Sequence, residues 1–278
     1  MTISYNRLGS NGRLGNQMFQ YAGLRGIAAT HNYSWLVPPP NSYGDANYGL
    51  FECFEMSSVL PENFGVTDYQ SVVTGCFEFN QKFYENCPDN VNLHDYFQTE
   101  KYFKNIEDVI RKDFEFKNDI KEPCLEIMNQ YPDSIFLHVR RGDYLNQPQY
   151  HPVCSLEYYQ KALQEFPEDV SVFVFSDDLD WCREHFADDR FLIPDENPLY
   201  NHLSDTNDGR VRSPIPYYDL CMMSLCSGAI IANSSMSWWG AWLINNPNKK
   251  VIAPQMWFGP AYADKDTKDL YVEDWSLL

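Results

Sequence analysis

The chain has few basic residues, no paired-cysteine motif and no long apolar run. Lysine and arginine number 21 against 39 aspartate and glutamate residues, which gives a formal net charge of -18. Such a charge repels nucleic acid and anionic lipid, so we expect neither as a partner. Any anionic ligand must therefore be held by a local cluster of positive charge.

The eight cysteines form no Cys-x-x-Cys pair and no dense cluster, so we expect free, mostly buried thiols rather than a disulfide-stapled secreted domain. The longest apolar-leaning run, residues 220–232, is interrupted by Ser224, Ser227 and Gly228 and is too short to span a bilayer. The amino terminus lacks a basic stretch followed by an apolar core. We expect a soluble, cytoplasmic protein without a membrane span, and peripheral attachment to a membrane is left open.

The chain also lacks a Gly-x-x-x-x-Gly-Lys-Ser/Thr run, which disfavours P-loop enzymes. Its 278 residues exceed what one compact core usually holds, so we predict two domains, residues 1–132 and 133–278. Aromatic residues make up 16% of the chain. Most are expected to fill cores, although exposed aromatic faces also stack on sugar rings or bases.

Apolar strands alternate with helices after residue 133, a pattern typical of a parallel α/β sheet. The predicted strands are residues 135–139, 170–175, 228–232 and 250–253, and the predicted helices are residues 155–166, 179–186, 217–226 and 236–244. In the first half we predict a strand at residues 3–5, a helix at 16–30 with a face of small residues, and a helix at 106–114. Ligands of open parallel sheets bind beyond the carboxyl ends of the strands, where three polar motifs fall.

The first motif follows the predicted strand at residues 135–139 and presents His138, Arg140, Arg141 and Asp143 together. Arginine grips phosphate with a planar fork and stays charged. Two adjacent arginines in an acidic protein therefore indicate a bound anion, and the alternative is an ordinary strand exit with a surface ion pair.

The second motif ends the next predicted strand with Ser176, Asp177 and Asp178. A carboxylate there can accept the N–H groups of a guanine or bind a ribose hydroxyl, and it can equally cap the helix that begins at Leu179. Asp178 and Asp180 also form an Asp-x-Asp pair of the kind that holds a metal in many sugar transferases. We do not favour a metal, because Asp180 would lie inside the helix and the arginines already supply positive charge.

The third motif, residues 230–243, is a buried strand, a hydroxyl-rich turn and an aromatic helix. The N–H groups at a helix start favour phosphate, and Asn233, Ser234, Ser235 and Ser237 lie beside them. Capping accounts for one or two of these hydroxyls without requiring them all. The three tryptophans of the helix are expected to pack against the sheet.

These motifs resemble those of glycosyltransferase family 11, the α-1,2-fucosyltransferases. The resemblance rests on four segments in the family's order: Gly-Arg-Leu-Gly-Asn-Gln-Met-Phe-Gln-Tyr-Ala at residues 12–22, and residues 138–144, 175–178 and 233–240. It covers residues 12–26 and most of 134–259, and little of about 31 to 130. It implies an α/β fold of GT-B type, with two Rossmann-like domains and a donor cleft between them.

The resemblance further implies GDP-β-L-fucose as the donor, a galactose-terminated oligosaccharide as the acceptor, an α-1,2 linkage, and no metal or other cofactor. Residues 133–278 would bind GDP-fucose, and residues 1–132 would form the acceptor side. The donor-binding residues that it implies are His138, Arg140, Arg141, Asp177, Asp178, Asn233, Ser234, Ser235 and Ser237.

The Arg-x-Gly-Asn-Gln turn at residues 13–17 is similar to a turn of protein O-fucosyltransferases in which the asparagine lies near the reacting centre. This similarity implies an acceptor-side role for Arg13, Gly15, Asn16 and Gln17, with Asn16 orienting the acceptor. The preceding residues 9–12 form a longer segment than many bacterial members carry.

The expected mechanism is inverting: an acceptor hydroxyl attacks the anomeric carbon while GDP leaves from the opposite face. The predicted catalytic residues are Arg140, which stabilises the departing diphosphate, Asn16 and Asp143. The general base is left unassigned, and a dissociative transition state would need none. The candidates for it are Asp143, Asp45, Glu52, Glu78 and His94.

The amino-terminal half is expected to recognise the oligosaccharide behind the terminal galactose. Five aromatic residues are candidates for this contact and equally candidates for the core: Tyr43, Tyr48, Phe51, Phe77 and Phe79. Two rival functions are a protein O-fucosyltransferase-like enzyme with a peptide acceptor and a non-catalytic glycan-binding module. The first typically has disulfides and secretory entry, and the second does not explain three phosphate-suited motifs.

Overall fold

The computed structural model describes residues 1–40, 42, 48–193 and 215–278. They form two compact units, Met1–Lys117 with Asp264–Val272, and Asn118–Ala263 with Glu273–Leu278. The units meet in the chain at Lys117 and Asn118, ahead of the predicted boundary at residue 132. The assignment of acceptor and donor roles to two domains stays a prediction.

The first unit contains a four-stranded parallel sheet in the order β2-β1-β4-β3. Its strands are β1 (Thr2–Ser4), β2 (Ser34–Leu36), β3 (Ser71–Val72) and β4 (Val91–Leu93), and its helices are α1 (Leu14–His31), α2 (Leu50–Cys53), α3 (Gln81–Glu85) and α4 (Glu107–Asp113). The strand, the long helix and the helix near residue 110 that the sequence predicts are confirmed. The other three strands are two or three residues long, too short to give an alternating pattern.

The predicted small-residue face of α1 permits a close approach of neighbouring chain segments. A Cβ atom at Gly26 would lie 1.9 Å from the carbonyl oxygen of Tyr102, and one at Gly23 would lie 2.7 Å from the Phe97 side chain. Glycine is therefore required at both positions because no side chain fits.

The segment Asp264–Val272 belongs to the first unit although it follows most of the second. Asp269 accepts a hydrogen bond from the backbone N–H of Phe79 at 3.0 Å and pairs with Lys101. Leu270 beside it is 1% exposed. A buried carboxylate and an apolar side chain thus fix this segment.

The second unit contains a six-stranded parallel sheet in the order β10-β9-β8-β5-β6-β7. Its strands are β5 (Ile135–Val139), β6 (Val172–Ser176), β7 (Phe191–Leu192), β8 (Gly228–Ile230), β9 (Val251–Ala253) and β10 (Ser276–Leu277), and its described helices are α5 (Asn118–Met128), α6 (Leu156–Leu163), α7 (Leu179–His185), α8 (Ile215–Leu225) and α9 (Ser235–Leu243). The four strands and four helices predicted here are confirmed to within a few residues.

The central strand β5 is buried along its whole length, which is why it appears in the sequence as an unbroken apolar run. Leu137 lies opposite Val174 of β6 on one side and Ile230 of β8 on the other. Tyr159 of α6 joins their core. Trp238, Trp239 and Trp242 of α9 are buried against one another and Trp275. They are core residues, and their packing against the sheet stays a prediction.

All eight cysteines are free thiols, and six of them are buried. The expectation of free, mostly buried thiols is confirmed. Among the described residues, no helix combines the length and the apolar character needed to cross a membrane.

Candidate functional site

Three neighbouring strands, β8, β5 and β6, end at the same edge of the second unit's sheet because all three are parallel. His138 lies near the end of β5, Ser176 ends β6, and Asn233 follows β8. The structure therefore brings the three predicted motifs together where ligands of such sheets bind.

Carboxylates from the end of β6 and the loop after β5 hold both arginines. Arg140 pairs with Asp143, and its Nη1 atom lies 3.0 Å from Oδ2 of Asp177. Arg141 donates from Nε to Asp178 at 2.9 Å and from its backbone N–H to Asp177 at 2.8 Å. Each arginine side chain keeps 19% of its surface exposed, so the two guanidinium groups are oriented yet accessible.

Aromatic rings support the same two arginines. The Arg140 guanidinium carbon lies 5.4 Å from the ring centroid of Tyr144, and that of Arg141 lies 4.4 Å from Trp181. Both distances are within the range of a cation–π interaction. Neither ring was predicted as part of the site.

Asp178 performs one of the roles that the sequence left open, helix capping, and makes one contact that was not predicted. It caps α7 by accepting from the backbone N–H of Trp181 at 3.3 Å, and it accepts from Arg141. The Arg141 hydrogen bond holds the pKa of the Asp178 carboxyl below its usual range. A guanine or ribose contact by Asp177 or Asp178 stays a prediction.

The two carboxylates of the Asp-x-Asp pair face different partners. Asp180 lies inside α7, as expected, is 98% exposed and pairs with Arg183 at 2.8 Å, whereas Asp178 faces Arg141. In the ranges that the structure covers, no group of three potential metal ligands is found. Metal independence stays a prediction.

His138 is a buried polar side chain at the end of β5. It is 5% exposed, and its Nδ1 atom has no hydrogen-bond partner within the described part of the chain. Burial lowers the pKa of His138 to about 4, with Arg140 acting in the same direction and Asp177 opposing it. The imidazole is therefore neutral at physiological pH, and the predicted donor contact of His138 stays a prediction.

We predict that His138 makes the folded protein less stable in mild acid. Its pKa in the folded state, about 4, lies below the ordinary value of 6.5, so protonation favours the unfolded chain. The stabilisation of the folded state by the unprotonated imidazole is fully present above about pH 6.5. It is lost as the pH falls toward 4, which lowers the free energy of unfolding by up to about 3 kcal/mol.

Urea unfolding of the wild type and of a His138→Asn variant at several pH values measures this contribution. The difference in the free energy of unfolding between the two proteins should be constant above neutrality and should change between about pH 6.5 and about pH 4. A constant difference over that whole interval would contradict the burial of an unprotonated histidine.

The turn before α9 is held by Asn233. This residue is 1% exposed, and its amide donates to the carbonyl oxygens of Pro152 at 2.9 Å and Trp257 at 3.0 Å. Cys154 also approaches its Oδ1 atom, at 3.6 Å. The Asn233 side chain therefore bonds within the protein, and its predicted role in donor binding stays untested.

The serines of this turn differ in their surroundings. Ser237 is fully buried, and its hydroxyl lies 3.3 Å from the carbonyl oxygens of Ala232 and Ser234. Ser234 is the N-cap of α9 without a side-chain capping bond, and Ser235 is half-buried. The first N–H groups of a helix lack partners within it, so Ser234, Ser235 and these N–H groups are suited to an anion.

The predicted acceptor-side turn lies in the first unit at the start of α1. Arg13 is its exposed N-cap residue and Gly15 is buried. Asn16 accepts at Oδ1 from Nε2 of Gln98 at 2.9 Å. Gly12 has a φ of +81° and leaves no room for a Cβ, which would lie 2.8 Å from the Asn16 side chain.

Gln17 stabilises the loop rather than facing outward. It is fully buried, donates to the carbonyl oxygen of Gly12 at 3.1 Å and accepts from the backbone N–H of Gly49 at 3.1 Å. Gln20 supports the same loop by donating to Asn11 at 2.9 Å. The acceptor-side roles of Arg13, Asn16 and their neighbours stay predictions.

The candidates for a general base have unequal surroundings. Asp143 pairs with Arg140, His94 lies 3.2 Å from Arg7, Glu52 is exposed and Glu78 is half-buried. Asp45 lies outside the described residues. No assignment of the base follows from these contacts.

The candidate acceptor aromatics are largely packed against other rings. Tyr48 is 2% exposed and donates to the carbonyl oxygen of Pro38 at 3.0 Å, and Phe51 packs against its ring. Phe79 packs against Tyr102 at 4.9 Å. Phe77 is half-buried, and Tyr43 lies outside the described residues.

Solved structures of fucosyltransferases share this fold. NodZ from Bradyrhizobium superposes with a TM-score of 0.56 at 12% sequence identity, over 87% of this chain and 92% of that chain. POFUT1 in complex with GDP superposes with a TM-score of 0.54 at 12% identity, over 91% and 97%. The predicted α/β fold class of GT-B type is confirmed.

The model of the family described as "Glycosyl transferase family 11" matches residues 59–278, and the chain belongs to this family. The resemblance stated from four short motifs is thus confirmed. The motifs at the ends of β5, β6 and β8 all fall within the matched residues.

Named relatives agree with this membership. The O-antigen biosynthesis glycosyltransferase WbnK of Escherichia coli is 33% identical over 213 residues, which are 69% of this chain and 65% of WbnK. An α-1,2-colitosyltransferase of Escherichia coli is 29% identical over 93% of both chains. Galactoside α-(1,2)-fucosyltransferase 1 of Homo sapiens is 23% identical over 84% of this chain and 64% of its own. The chain thus spans just under two thirds of the first and third of these relatives.

Proposed function

We propose that this family 11 glycosyltransferase transfers L-fucose from GDP-β-L-fucose to O2 of a terminal β-galactoside, with inversion at the anomeric carbon. The observation that carries the proposal is the convergence of Arg140, Arg141 and the start of α9 at one sheet edge. A relative named for galactoside α-(1,2)-fucosyl transfer and a NodZ structure soaked with GDP-fucose support the linkage and the donor.

The chemistry needs positive charge where the diphosphate leaves. The bond between the anomeric carbon and the β-phosphate oxygen breaks as the acceptor O2 forms its bond, and the hydroxyl proton passes to a base or to water. Arg140 and the N–H groups at the start of α9 can stabilise the developing charge, each by about 2 to 4 kcal/mol. Asp143, Asp177 and Asp178 keep the guanidinium groups in place for this role.

A second candidate is transfer of colitose. It is favoured by the α-1,2-colitosyltransferase, which aligns over 93% of both chains. Colitose is fucose without its 3-hydroxyl, so the same diphosphate contacts serve both donors. The two candidates differ only in what surrounds C3 of the sugar.

A transfer assay tests the proposal. The purified protein is incubated with GDP-fucose or GDP-colitose and with lactose, N-acetyllactosamine or a peptide as acceptor, in EDTA, and product linkage is analysed. We expect fucose at galactose O2. Faster transfer from GDP-colitose would establish the second candidate, and transfer only to a peptide would favour the O-fucosyltransferase-like alternative. Absence of GDP binding would overturn all three.

Gly142→Ala is expected to lower kcat/KM for the sugar nucleotide by about 10-fold to 100-fold, since small displacements in a site cost that much. A Cβ at Gly142 would lie 2.5 Å from Oδ2 of Asp177, the carboxylate that holds Arg140 and the backbone of Arg141. The matched control is Gly65→Ala, whose Cβ would meet only Leu36 at 3.7 Å. Equal activity of the two variants would contradict a role for Asp177 in placing the arginines.

A further inference from the structure

Tyr144 contacts two separate parts of the candidate diphosphate site. Its hydroxyl donates to the backbone carbonyl of Asn233 at 3.0 Å, and its ring centroid lies 5.4 Å from the guanidinium carbon of Arg140. Arg140 follows β5, whereas Asn233 follows β8 and immediately precedes the turn into α9. One side chain therefore joins the arginine loop to the turn that presents the helix N–H groups.

The carbonyl that accepts this hydrogen bond is fixed. The Asn233 side chain donates to the carbonyl oxygens of Pro152 and Trp257 at 2.9 and 3.0 Å, and the residue is 1% exposed. Its backbone cannot turn away without breaking these bonds. A hydroxyl that donates to it is therefore tied to a rigid point.

The ring of Tyr144 is fixed as well. It is stacked on the imidazole of His151, with 4.8 Å between the ring centroids and 18° between the ring planes. His151 in turn packs against Phe258, with 5.9 Å between the ring centroids. Burial raises the pKa of Tyr144 to about 12. The hydroxyl therefore keeps its proton near neutral pH and acts as a donor.

We propose that Tyr144 is a positioning residue whose hydroxyl sets the distance between the Arg140 guanidinium and the start of α9, so that one diphosphate meets both. This inference rests on the proposed function, because it requires a nucleoside diphosphate ligand. Donors held in place before binding lose less entropy when the ligand arrives. Without the hydroxyl, the arginine loop and the turn lose this direct side-chain connection.

Tyr144→Phe removes only the hydroxyl and keeps the ring beneath Arg140. We expect the dissociation constant for GDP to rise about threefold to tenfold, the range for one hydrogen bond, and affinity for guanosine to stay unchanged because guanosine has no phosphate. The control is Tyr158→Phe, which removes a hydroxyl that lies 2.7 and 3.2 Å from the carbonyls of Ile231 and Ile252 in the same unit. Tyr158→Phe should lower the melting temperature about as much as Tyr144→Phe does, while its GDP affinity stays within about twofold of the wild-type value.

Calorimetric titration of the three proteins with GDP and guanosine separates the outcomes. Tyr144→Phe binding GDP as tightly as wild type would overturn the role of Tyr144 and leave the proposed function standing. Equal weakening of GDP and guanosine would also overturn it, because the effect would not concern phosphate. Wild-type protein that binds no GDP would instead overturn the proposed function, and this inference with it.

A double-mutant cycle provides a second readout. If the Tyr144 hydroxyl acts by placing the Arg140 fork, Tyr144→Phe should weaken GDP binding much less in an Arg140→Lys background than in the wild type. If the fold-losses in GDP affinity of the two single variants multiply in the double variant, the two residues act independently. That result would overturn the proposal.

Discussion

Replacing Arg140 with alanine is expected to lower kcat for sugar transfer at least about a hundredfold. In the proposed mechanism this positive charge faces the leaving diphosphate, and one such donor contributes about 2 to 4 kcal/mol to the transition state. It also leaves Asp143 and Asp177 without this cation. If the diphosphate binds as proposed, these two carboxylates would repel it, in addition to the lost attraction of the arginine.

Two further variants separate charge from geometry. Arg140→Lys keeps the charge but loses the planar fork, so we expect a loss smaller than that of the alanine variant. Arg183→Ala removes an arginine of the same unit whose ion pair with Asp180 has the same sequence spacing as that of Arg140 with Asp143. It should retain wild-type turnover. Near-normal turnover of Arg140→Ala would remove this residue from the mechanism.

Asp113→Asn is expected to destabilise the protein by about 3 to 5 kcal/mol, the usual consequence of removing one partner of a buried ion pair. Asp113 is fully buried and pairs at 2.8 Å with Arg25. The Arg25 side chain is 11% exposed. It also accepts from Tyr21 at 2.7 Å and from Ser58 at 2.8 Å. The variant would leave the Arg25 charge buried without its counter-ion.

Urea unfolding measures the free energy of unfolding for this variant. Asp180→Asn is the control, because its carboxylate is 98% exposed, and it should change the free energy by no more than about 0.5 kcal/mol. Removing both charges with Arg25→Leu and Asp113→Asn should cost less than the two single losses added together. If Asp113→Asn unfolds at the same urea concentration as the wild type, the ion pair does not stabilise the fold.

The sheet of the second unit was predictable because its central strands carry unambiguous patterns. Residues 135–139 and 172–176 are buried runs with polar groups at their carboxyl ends, and parallel pairing of such strands brings those ends together. The position of the candidate site was predicted from this arrangement. The family of the protein was predicted from four short motifs.

Other features depend on contacts that sequence spacing does not reveal. Asp269 bonds to the backbone of Phe79, 190 positions away, and no local pattern predicts that this segment joins the first unit. The hydroxyl of Tyr144 meets the carbonyl of Asn233, 89 positions away. Arg140 and Arg141 were expected to face a ligand. The Arg140–Asp143 pair is local, but the pairing of the arginines with Asp177 and Asp178 depends on β5 and β6 lying side by side.

A crystal structure of the protein with GDP would show whether the arginines and the start of α9 hold a diphosphate. We expect the β-phosphate within hydrogen-bond distance of the Arg140 guanidinium and of the N–H groups that begin α9, with Ser234 and Ser235 beside it. A diphosphate bound away from the carboxyl ends of β5, β6 and β8 would contradict the proposed donor site.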